Sequence, residues 1–282
     1  MTTGNNIEEL TDSLNRYLPA LHTFFTGRNL KLSEPKSTAT LFTSWTREVN
    51  RELDVNINGN RIPTVKTPKV LGVTLDNLLT FSKHTTNIAS KVKDRNRILK
   101  AVAGSTWGQN KEVLAMTYKA IGRSVLDYAA PIWSPEISDT QWSKLQTAQN
   151  AGLRSVTGCH FKTPELHLHH EAKMLNVRDH CTLITRQFLL KAKEESHPNH
   201  ASLLRPLSGR NKAIRVDIRK EEPNVQHLHN LTTKNALKEI HREMVEQSIE
   251  KYTSSVVLGG RPPPVDASEM QLPRHNSLSL FA

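Results

Sequence analysis

The sequence predicts an α+β fold that is mostly helical, with a small strand-containing region, a helical bundle and a poorly structured tail. Three observations predict it. Between residues 30 and 76, alternating apolar residues stand beside turn signals, which is typical of short strands. From about residue 82, apolar residues recur every three or four positions, as in helices that bury one face. Beyond residue 200 this pattern weakens. We therefore expect regions at 1–80, 81–200 and 201–282.

The first predicted element is a helix over residues 5–26. Asn6 or Asn5 is a suitable N-cap, Pro19 predicts a kink, and Gly27 suits the C-terminal cap. Apolar residues at spacings of three and four predict one buried stripe, formed by Ile7, Leu10, Leu14, Leu18, Leu21 and Phe25.

Strands are expected next. The sequence favours a strand, a turn and a strand around Ser33-Glu34-Pro35, and a hairpin that turns at Asn58-Gly59-Asn60. A compact hairpin from Val70 to Phe81 follows, with Asp76-Asn77 as its turn signal. Gly72 is expected to let another backbone approach closely.

Five helices are predicted after these strands. The first runs from about Ser82 to Ala103. The second has Asn110 as its cap and a stripe through Val113, Met116, Ile121, Val125 and Tyr128, and Pro131 closes it. The others start at a capping box at 138–141, at Thr163-Pro164-Glu165, and at Val177, the last ending near Lys193. In the tail we expect one helix, about Thr233 to Tyr252, and a Pro-rich linker.

Positive charge is concentrated in one part of the chain. The formal net charge is +11, and residues 61–123 carry twelve Lys and Arg against three Asp and Glu. Residues 1–60 carry six against seven. A local basic stripe binds phosphates by neutralising them and releasing counterions, so a polyanionic partner is favoured. A solvated helix face is the alternative, and for charge runs in general it is the commoner case.

The cysteine and histidine spacing does not favour a metal site, and a structural zinc site in residues 158–200 stays open as the less favoured alternative. Residues 158–200 are rich in such ligands: Cys159, His160, His167, His169, His170, His180, Cys181, His197 and His200. Zinc uses these side chains, but no pair here has CxxC spacing, and His167 with His170 is the best one-turn couple. The segment His169-His170-Glu171 lacks the H-E-x-x-H spacing of a metalloprotease.

The compartment is expected to be reducing, because two cysteines cannot staple a fold of this size. The N-terminus is polar and acidic, and the sequence has no long apolar run. We expect a soluble intracellular protein of the nucleus or cytoplasm, with no signal peptide and no membrane partner.

Four segments resemble one family in the same order along residues 6–200: LKLSEPKSTATLF, KVLGVTLDNLLTFSKHT, GSTWGQNKEVLAMTYKAIGRSVLDYAAPIWSP and KLQTAQNAGLRSVTGC. The family is the reverse transcriptase of jockey-type non-LTR retrotransposons, in its downstream half. The resemblance implies a right-hand polymerase, with residues 1–80 as the end of the palm and residues 81–200 as the helical thumb.

In this family, two aspartates of a Y/F-A-D-D turn and a third palm aspartate hold two Mg²⁺ ions. This sequence contains no such turn, and Asp12 and Asp54 lie in other contexts. We therefore expect no cofactor bound by this chain and no nucleotidyl transfer by it alone. The sequence suggests an element fragment cut at both ends, with the missing N-terminal half of the polymerase as one partner and template–primer as another.

The resemblance assigns roles to particular residues. Lys36 would be a general acid beside the nucleotide, although it also suits an ordinary turn. Val70, Leu71, Gly72 and Val73 match the primer grip, although a plain core hairpin is about as likely. Thumb cations would contact the duplex backbone: Lys83, Lys91, Lys93, Arg95, Arg97, Lys100, Lys111, Lys119 and Arg123. Aromatic residues would fill the thumb core instead of stacking on bases: Trp107, Tyr118, Tyr128, Trp133 and Trp142.

Two alternatives to a polymerase fragment stay open. One is a non-catalytic basic helical module that binds nucleic acid. The other is an unfolded remnant of an element.

Overall fold

The computed structural model describes residues 2–4, 6–104, 108–192 and 198. In these residues the strands are β1 (Asn56–Ile57), β2 (Asn60–Arg61), β3 (Lys69–Val70) and β4 (Val73–Thr74). The α-helices are α1 (Ile7–Thr26), α2 (Ser82–Val102), α3 (Lys111–Tyr118), α4 (Ser124–Asp127), α5 (Ala130–Trp133), α6 (Asp139–Thr157), α7 (Glu165–Ala172) and α8 (Val177–Ala192). The predicted α+β, mostly helical class is confirmed. The helix expected at 233–252 and the tail lie outside the described residues.

The chain forms two compact units, Met1–His84 and a second unit from Thr85 onward. Each β-hairpin is a separate antiparallel two-stranded sheet, and both belong to the first unit. The assignment of these regions to a palm and a thumb stays a prediction.

Helix α1 begins where the sequence predicts, because the Asn6 side chain accepts a hydrogen bond from Glu8 N at 3.2 Å. Its apolar stripe packs on a core cluster of Leu41, Leu53, Val55, Ile57 and Ile62. The stripe packs on the core as predicted, but it is less buried than predicted, since α1 has no fully buried residue. Leu21 is exposed, and Leu10, Leu14 and Leu18 are only half-buried.

The end of α1 is built differently from the expectation. Gly27 stands at the C-terminus as predicted, but its φ of −62° is right-handed. Asn29 takes the left-handed conformation instead, with φ 57°. Leu30 N donates to Phe25 O and Asn29 N donates to Thr26 O, each at 3.0 Å. This pair of bonds is a Schellman motif, in which asparagine sometimes replaces glycine.

The first hairpin, β1–β2, is confirmed. Asn58 and Gly59 form its two-residue turn with φ values of 52° and 82°. Positive φ at both positions matches a type I′ turn, which suits the twist of a hairpin. Ile62 N donates to Val55 O at 2.8 Å and extends the pairing beyond the strands.

The strands expected on both sides of Ser33-Glu34-Pro35 are absent from the described residues. A 3₁₀ helix spans Glu34–Lys36, and Ala39 makes only an isolated bridge with Thr64. The Glu34 carboxylate accepts hydrogen bonds from Asn58 Nδ2 at 3.0 Å and Asn60 Nδ2 at 2.5 Å. These bonds lower the pKa of Glu34. They hold the 3₁₀ helix on the hairpin β1–β2 through side chains.

The second predicted helix is interrupted. A π-helical segment at Lys119–Arg123 joins α3 to α4. The buried face runs through Leu114, Tyr118 and Leu126 instead of the predicted Met116 and Tyr128, which are exposed. The wider π turn shifts the residues after it, such as Tyr128, around the axis. Met116 precedes the π segment and is exposed because it lies two residues from the buried Leu114 and Tyr118, on the other side of α3.

Pro131 does not close this helix. Asp127 is its last residue, Ala129 has a φ of 53°, and Pro131 lies in the first turn of α5. Proline is tolerated there because a first-turn N–H has no partner within the helix.

The remaining helices match the sequence closely. α6 begins at the predicted capping box, where Ser138 N donates to Gln141 Oε1 at 2.7 Å, and ends at Gly158 with φ 74°. α7 and α8 begin one residue after Pro164 and Asn176. Thr163 was expected to cap α7, but Pro164 holds the cap position and no side-chain cap bond forms.

Two glycines allow Tyr118 to lie in the core of the second unit. A Cβ at Gly122 would come within 2.6 Å of Tyr118 Cε2. A Cβ at Gly152 would come within 2.5 Å of the same atom and within 2.6 Å of Asn96 Oδ1. Asn96 Nδ2 also donates to Ala148 O at 2.8 Å, which ties α2 to α6. Gly152 of α6 therefore lies close to both the Tyr118 ring of α3 and the Asn96 side chain of α2.

The prediction that aromatic side chains lie in the core holds for some of these residues and fails for another. Trp133 and Trp142 are buried with ring centroids 6.0 Å apart, and Trp133 Nε1 donates to Tyr128 O at 2.9 Å. Burial of Tyr118, Trp133 and Trp142 is confirmed. The core prediction is wrong for Tyr128, which is exposed, and Trp107 lies outside the described residues.

Gly152→Ala should destabilise the protein by about 1–3 kcal/mol, since the added methyl group overpacks a closed core. Urea unfolding followed by far-ultraviolet circular dichroism measures the change. Gly27→Ala is the control, because a Cβ there meets Thr23 O at an ordinary 3.4 Å and φ is already right-handed. Equal stability of the two variants would contradict the packing argument.

Candidate nucleic-acid interface

The hairpin β3–β4 is shorter than predicted and turns elsewhere. Val70 pairs with Val73, and the two-residue turn is Leu71-Gly72, with φ values of 46° and 85°. The chain does turn at Asp76-Asn77, where Leu79 N donates to Asp76 O at 2.9 Å, but this turn follows the hairpin and does not join its strands. Gly72 is needed for its positive φ, whereas we had expected close approach of another backbone.

Asp76 and Asn77 shape the connection from the hairpin to α2. Asp76 Oδ2 accepts from Thr80 N at 3.0 Å, and Asp76 Oδ1 accepts from Phe81 N at 2.7 Å. Asn77 Nδ2 donates to Leu41 O at 2.7 Å. The turn signal in the sequence is therefore real, but it fixes the entry into a helix.

The start of α2 braces this hairpin from one side. Thr74 N donates to His84 Nδ1 at 3.3 Å, and Lys83 Nζ donates to Thr67 Oγ1 at 3.0 Å. Val73 is buried, while Val70 is 51 % exposed and Leu71 is 88 % exposed. Of the residues that match a primer grip, Val73 holds the hairpin in place, and Val70 and Leu71 are accessible at its tip.

Sequence reasoning missed one cation beside this tip. Lys69 is exposed in β3, next to Val70. Its position at the start of the predicted apolar hairpin could have indicated a cation beside the hairpin tip.

Helix α2 buries one face and exposes its cations. Its buried residues recur at three and four positions: Thr85, Ile88, Val92, Asn96 and Leu99. Lys93, Arg97 and Lys100 are exposed and share one flank, because their spacing of four and three also follows the helical repeat. Lys91 and Arg95 are exposed on the opposite flank. We call Lys93, Arg97 and Lys100 the α2 basic stripe.

Arg123 is placed differently from the expectation. It is only 5 % exposed, and its Nη1 donates to Gln149 Oε1 at 2.5 Å and to Leu175 O at 2.9 Å. Its Nε lies 3.8 Å from Asp127 Oδ1. Burial lowers the pKa of the guanidinium, and Asp127 opposes that effect. The prediction of a phosphate contact is wrong for Arg123, whose buried side chain joins α6 to the loop between α7 and α8.

The π segment explains this error. In a regular α-helix, Arg123 would lie about 140° around the axis from Tyr118. The wider π turn brings it back toward the buried side on which Tyr118 lies.

The remaining cations predicted to contact a duplex differ in their exposure to solvent. Lys119 and Lys83 are exposed. Lys111 is half-buried and forms an ion pair with Glu171, so a duplex would compete with an existing partner for it.

Lys36 is exposed at the end of the 3₁₀ helix Glu34–Lys36. Its backbone N donates to Ser33 O at 3.2 Å, so the turn around it is ordered. Its role as a general acid stays a prediction.

The cysteines of the second unit are buried free thiols. Burial raises the pKa of Cys159, and it raises the pKa of Cys181 to about 12. Zinc binds the thiolate form, which burial disfavours here. Within the described residues no three or more His, Cys, Asp and Glu side chains are grouped to hold a metal ion. His197 and His200 lie outside the described residues.

His169 instead belongs to a hydrogen-bond network. Its Nδ1 lies 2.9 Å from Met174 O, which can only accept, so Nδ1 carries a proton. Gln146 Nε2 lies 2.7 Å from His169 Nε2 and 2.7 Å from Asn150 Oδ1, so the amide donates to both. Gln146 Oε1 accepts from Val177 N at 2.9 Å and links the network to α8. Burial lowers the pKa of His169, which keeps the ring neutral.

The sequence is similar to curated proteins of one class. The chain is similar to RNA-directed DNA polymerases of mobile elements, and the resemblance to jockey-type non-LTR retrotransposons is confirmed.

Particular relatives include the RNA-directed DNA polymerase from mobile element jockey of Drosophila funebris, 25% identical over 199 residues and 71% of this chain. The jockey polymerase of Drosophila melanogaster is 26% identical over 213 residues, or 73% of this chain. The probable RNA-directed DNA polymerase from transposon X-element of Drosophila melanogaster is 32% identical over 124 residues, or 42% of this chain.

The chain spans only part of these relatives: 21% and 22% of the two jockey polymerases and 13% of the X-element polymerase. No protein-family model matches the chain, and no solved structure matches it. In the part of the chain that the structure describes, no helix combines the length and the hydrophobicity needed to span a bilayer.

The pKa shift of His169 predicts acid sensitivity. A histidine whose pKa is lower in the folded than in the unfolded state contributes stability above the unfolded value, about 6.5, and loses it as the pH falls through the folded value. Melting temperatures followed by circular dichroism should therefore drop on acidification below about pH 6.5, and His169→Gln should reduce this drop.

Asn150→Ala is the matched control, because it breaks the same network without removing a titrating group. It should lower the melting temperature and retain the acid sensitivity. An unchanged pH dependence in His169→Gln would refute the assignment.

Proposed function

We propose that this chain is a reverse-transcriptase segment that binds template–primer duplex without reading its sequence. The observation that carries the proposal is the α2 basic stripe, exposed on a helix whose other face is core. Similarity to RNA-directed DNA polymerases supports nucleic acid as the partner. The concentration of positive charge in residues 61–123 supports a phosphate-binding surface.

The dimensions of the stripe suit a duplex backbone. Lys93 to Lys100 spans seven residues, or about 10 Å of helix axis at 1.5 Å per residue. One strand of a duplex presents a phosphate about every 3.4 Å along its axis, so the stripe can follow about three phosphates. Contacts with phosphates position the protein and carry no base information. A polymerase that must move along any template needs this kind of contact.

The tip of β3–β4 would support the primer end. Val70 and Leu71 are accessible there, Lys69 stands beside them, and Lys83 and His84 brace the hairpin. A braced apolar tip can pack on the sugar of a terminal nucleotide while a nearby ammonium neutralises its phosphate.

We assign no chemical step to this chain. The residues that the structure describes do not provide a Mg²⁺ site, and the sequence contains no Y/F-A-D-D turn. Lys36 would act only beside a nucleotide held by other parts of a polymerase, where its ammonium would neutralise the leaving pyrophosphate.

The first unit offers a surface for the remainder of such a polymerase. An apolar pocket of about 510 Å³ lies between α1 and residues 37–42 and 53–62 of the first unit. Leu10, Leu14 and Leu18 line it. Tyr17 and Phe24 are exposed on α1 as well. Because the jockey relatives are about five times longer than this match, we propose that further polymerase segments cover this apolar surface.

The comparisons do not favour the two alternatives, a stand-alone basic module and an unfolded remnant, since the similarity is to polymerases.

Removing the α2 basic stripe should weaken duplex binding and reduce its salt dependence. The variant Lys93→Gln, Arg97→Gln, Lys100→Gln should lower the slope of log affinity against log salt by about 2 to 3, because each phosphate contact contributes about 0.9. Fluorescence anisotropy with a blunt RNA–DNA hybrid, measured over a potassium chloride series, gives both quantities.

The control removes three exposed positive charges elsewhere in the second unit: Lys144→Gln, Lys173→Gln, Arg178→Gln. Its slope should change by less than about 1. Equal losses in both triple variants would mean that binding reflects net charge alone.

The full chain by itself should not extend a primer. A primer-extension assay with Mg²⁺ or Mn²⁺ and a labelled primer on an RNA template tests this expectation. Template-dependent incorporation by the purified chain would overturn it.

A further inference from the structure

Phe161 lies at the tip of the short loop that joins α6 to α7, and its side chain is 68 % exposed. Single exposed apolar residues are common on protein surfaces, so exposure alone carries no argument. What sets Phe161 apart is the environment of its ring and the rigidity of the loop that presents it.

Buried residues hold both ends of this loop in place. Cys159 and Thr163 are buried, and Gly158 takes the left-handed conformation that ends α6. Thr163 N donates to His160 O at 3.0 Å, and Lys162 N donates to His160 Nδ1 at 3.2 Å. Phe161 is therefore held outward on a closed turn, and little conformational entropy remains to be lost when a ligand binds it.

The ring also has aromatic and cationic neighbours. The His160 ring centroid lies 4.2 Å from that of Phe161 with an interplanar angle of 41°. Lys162 Nζ lies 5.7 Å from the Phe161 centroid. Arg154 Nη2 reaches Thr163 O at 3.5 Å, which places a second cation at the foot of the loop. An exposed aromatic ring with a lysine 5.7 Å from its centroid and an arginine bonded to the same loop matches the chemistry that binds an unpaired nucleobase and its phosphate.

We propose that Phe161 is a stacking platform for an unpaired base of a nucleic acid strand, with Lys162 and Arg154 near its phosphate. This inference rests on the proposed function, since it assumes a nucleic-acid partner. It adds a contact of a different kind, because the α2 basic stripe neutralises phosphates of paired strands and Phe161 takes a base that has no partner.

Two probes separate this contact from duplex binding: a blunt RNA–DNA hybrid, and the same hybrid with a single-stranded overhang that carries 2-aminopurine. In anisotropy titrations with the full chain, Phe161→Ala should weaken binding of the overhang probe about tenfold and leave the blunt hybrid unchanged. The emission of 2-aminopurine should fall on binding to the wild type and stay unchanged with Phe161→Ala.

Phe161→Trp should keep both effects, whereas Phe161→Leu, which retains apolar surface without a π face, should lose them. Trp45→Ala is the matched control, because Trp45 is 69 % exposed in the first unit and should not affect the overhang. Equal overhang binding by wild type and Phe161→Ala overturns the inference, as does retention by Phe161→Leu, which would indicate an apolar or peptide partner. If the wild type binds neither probe, the proposed function itself fails.

Discussion

Burial of one face of α2 is the constraint on which the rest depends. Ile88, Val92 and Leu99 lie in the core, and Asn96 fastens the helix to the backbone of α6. Because that face is fixed in the core, the helical repeat places Lys93, Arg97 and Lys100 on an exposed side of α2. The same helix begins beside β3–β4, where Lys83 and His84 hold the hairpin. The first residues of α2 thus brace an apolar tip, and the later residues of the same helix present the α2 basic stripe, in which Arg97 also pairs with Asp94 at 3.3 Å.

The regular spacing of apolar residues made many of the helices predictable from the sequence. The bounds of α2, α6 and α8, the cap of α1 and the Asn58-Gly59 turn follow from local signals, and so does the α2 basic stripe. These features depend on residues close in the chain, for which helix geometry and turn chemistry are nearly sufficient.

The failures have local causes as well. The Asp76-Asn77 pair carries strong turn chemistry, but its side chains bind the backbone ahead of α2, and a leucine takes the left-handed turn position that glycine or asparagine usually fills. Arg123 looked like a surface cation because the two groups that accept hydrogen bonds from its Nη1, Gln149 Oε1 and Leu175 O, are distant along the chain, and the i,i+4 pair with Asp127 alone did not indicate burial. Sequence spacing does not reveal a π segment. The exposed position of Phe161 could not be predicted from the sequence either, because it depends on a loop that side-chain and backbone hydrogen bonds close.

The conformation of Leu71 has a further consequence. A leucine at positive φ costs about 1 kcal/mol compared with a residue that tolerates this region. The hairpin is thus less stable than the same turn with asparagine would be, and Leu71 gains little from burial in return, because its side chain faces solvent. Under the proposed function, the apolar side chain that this turn presents would contact a primer end, so folding and binding would place opposite demands on Leu71.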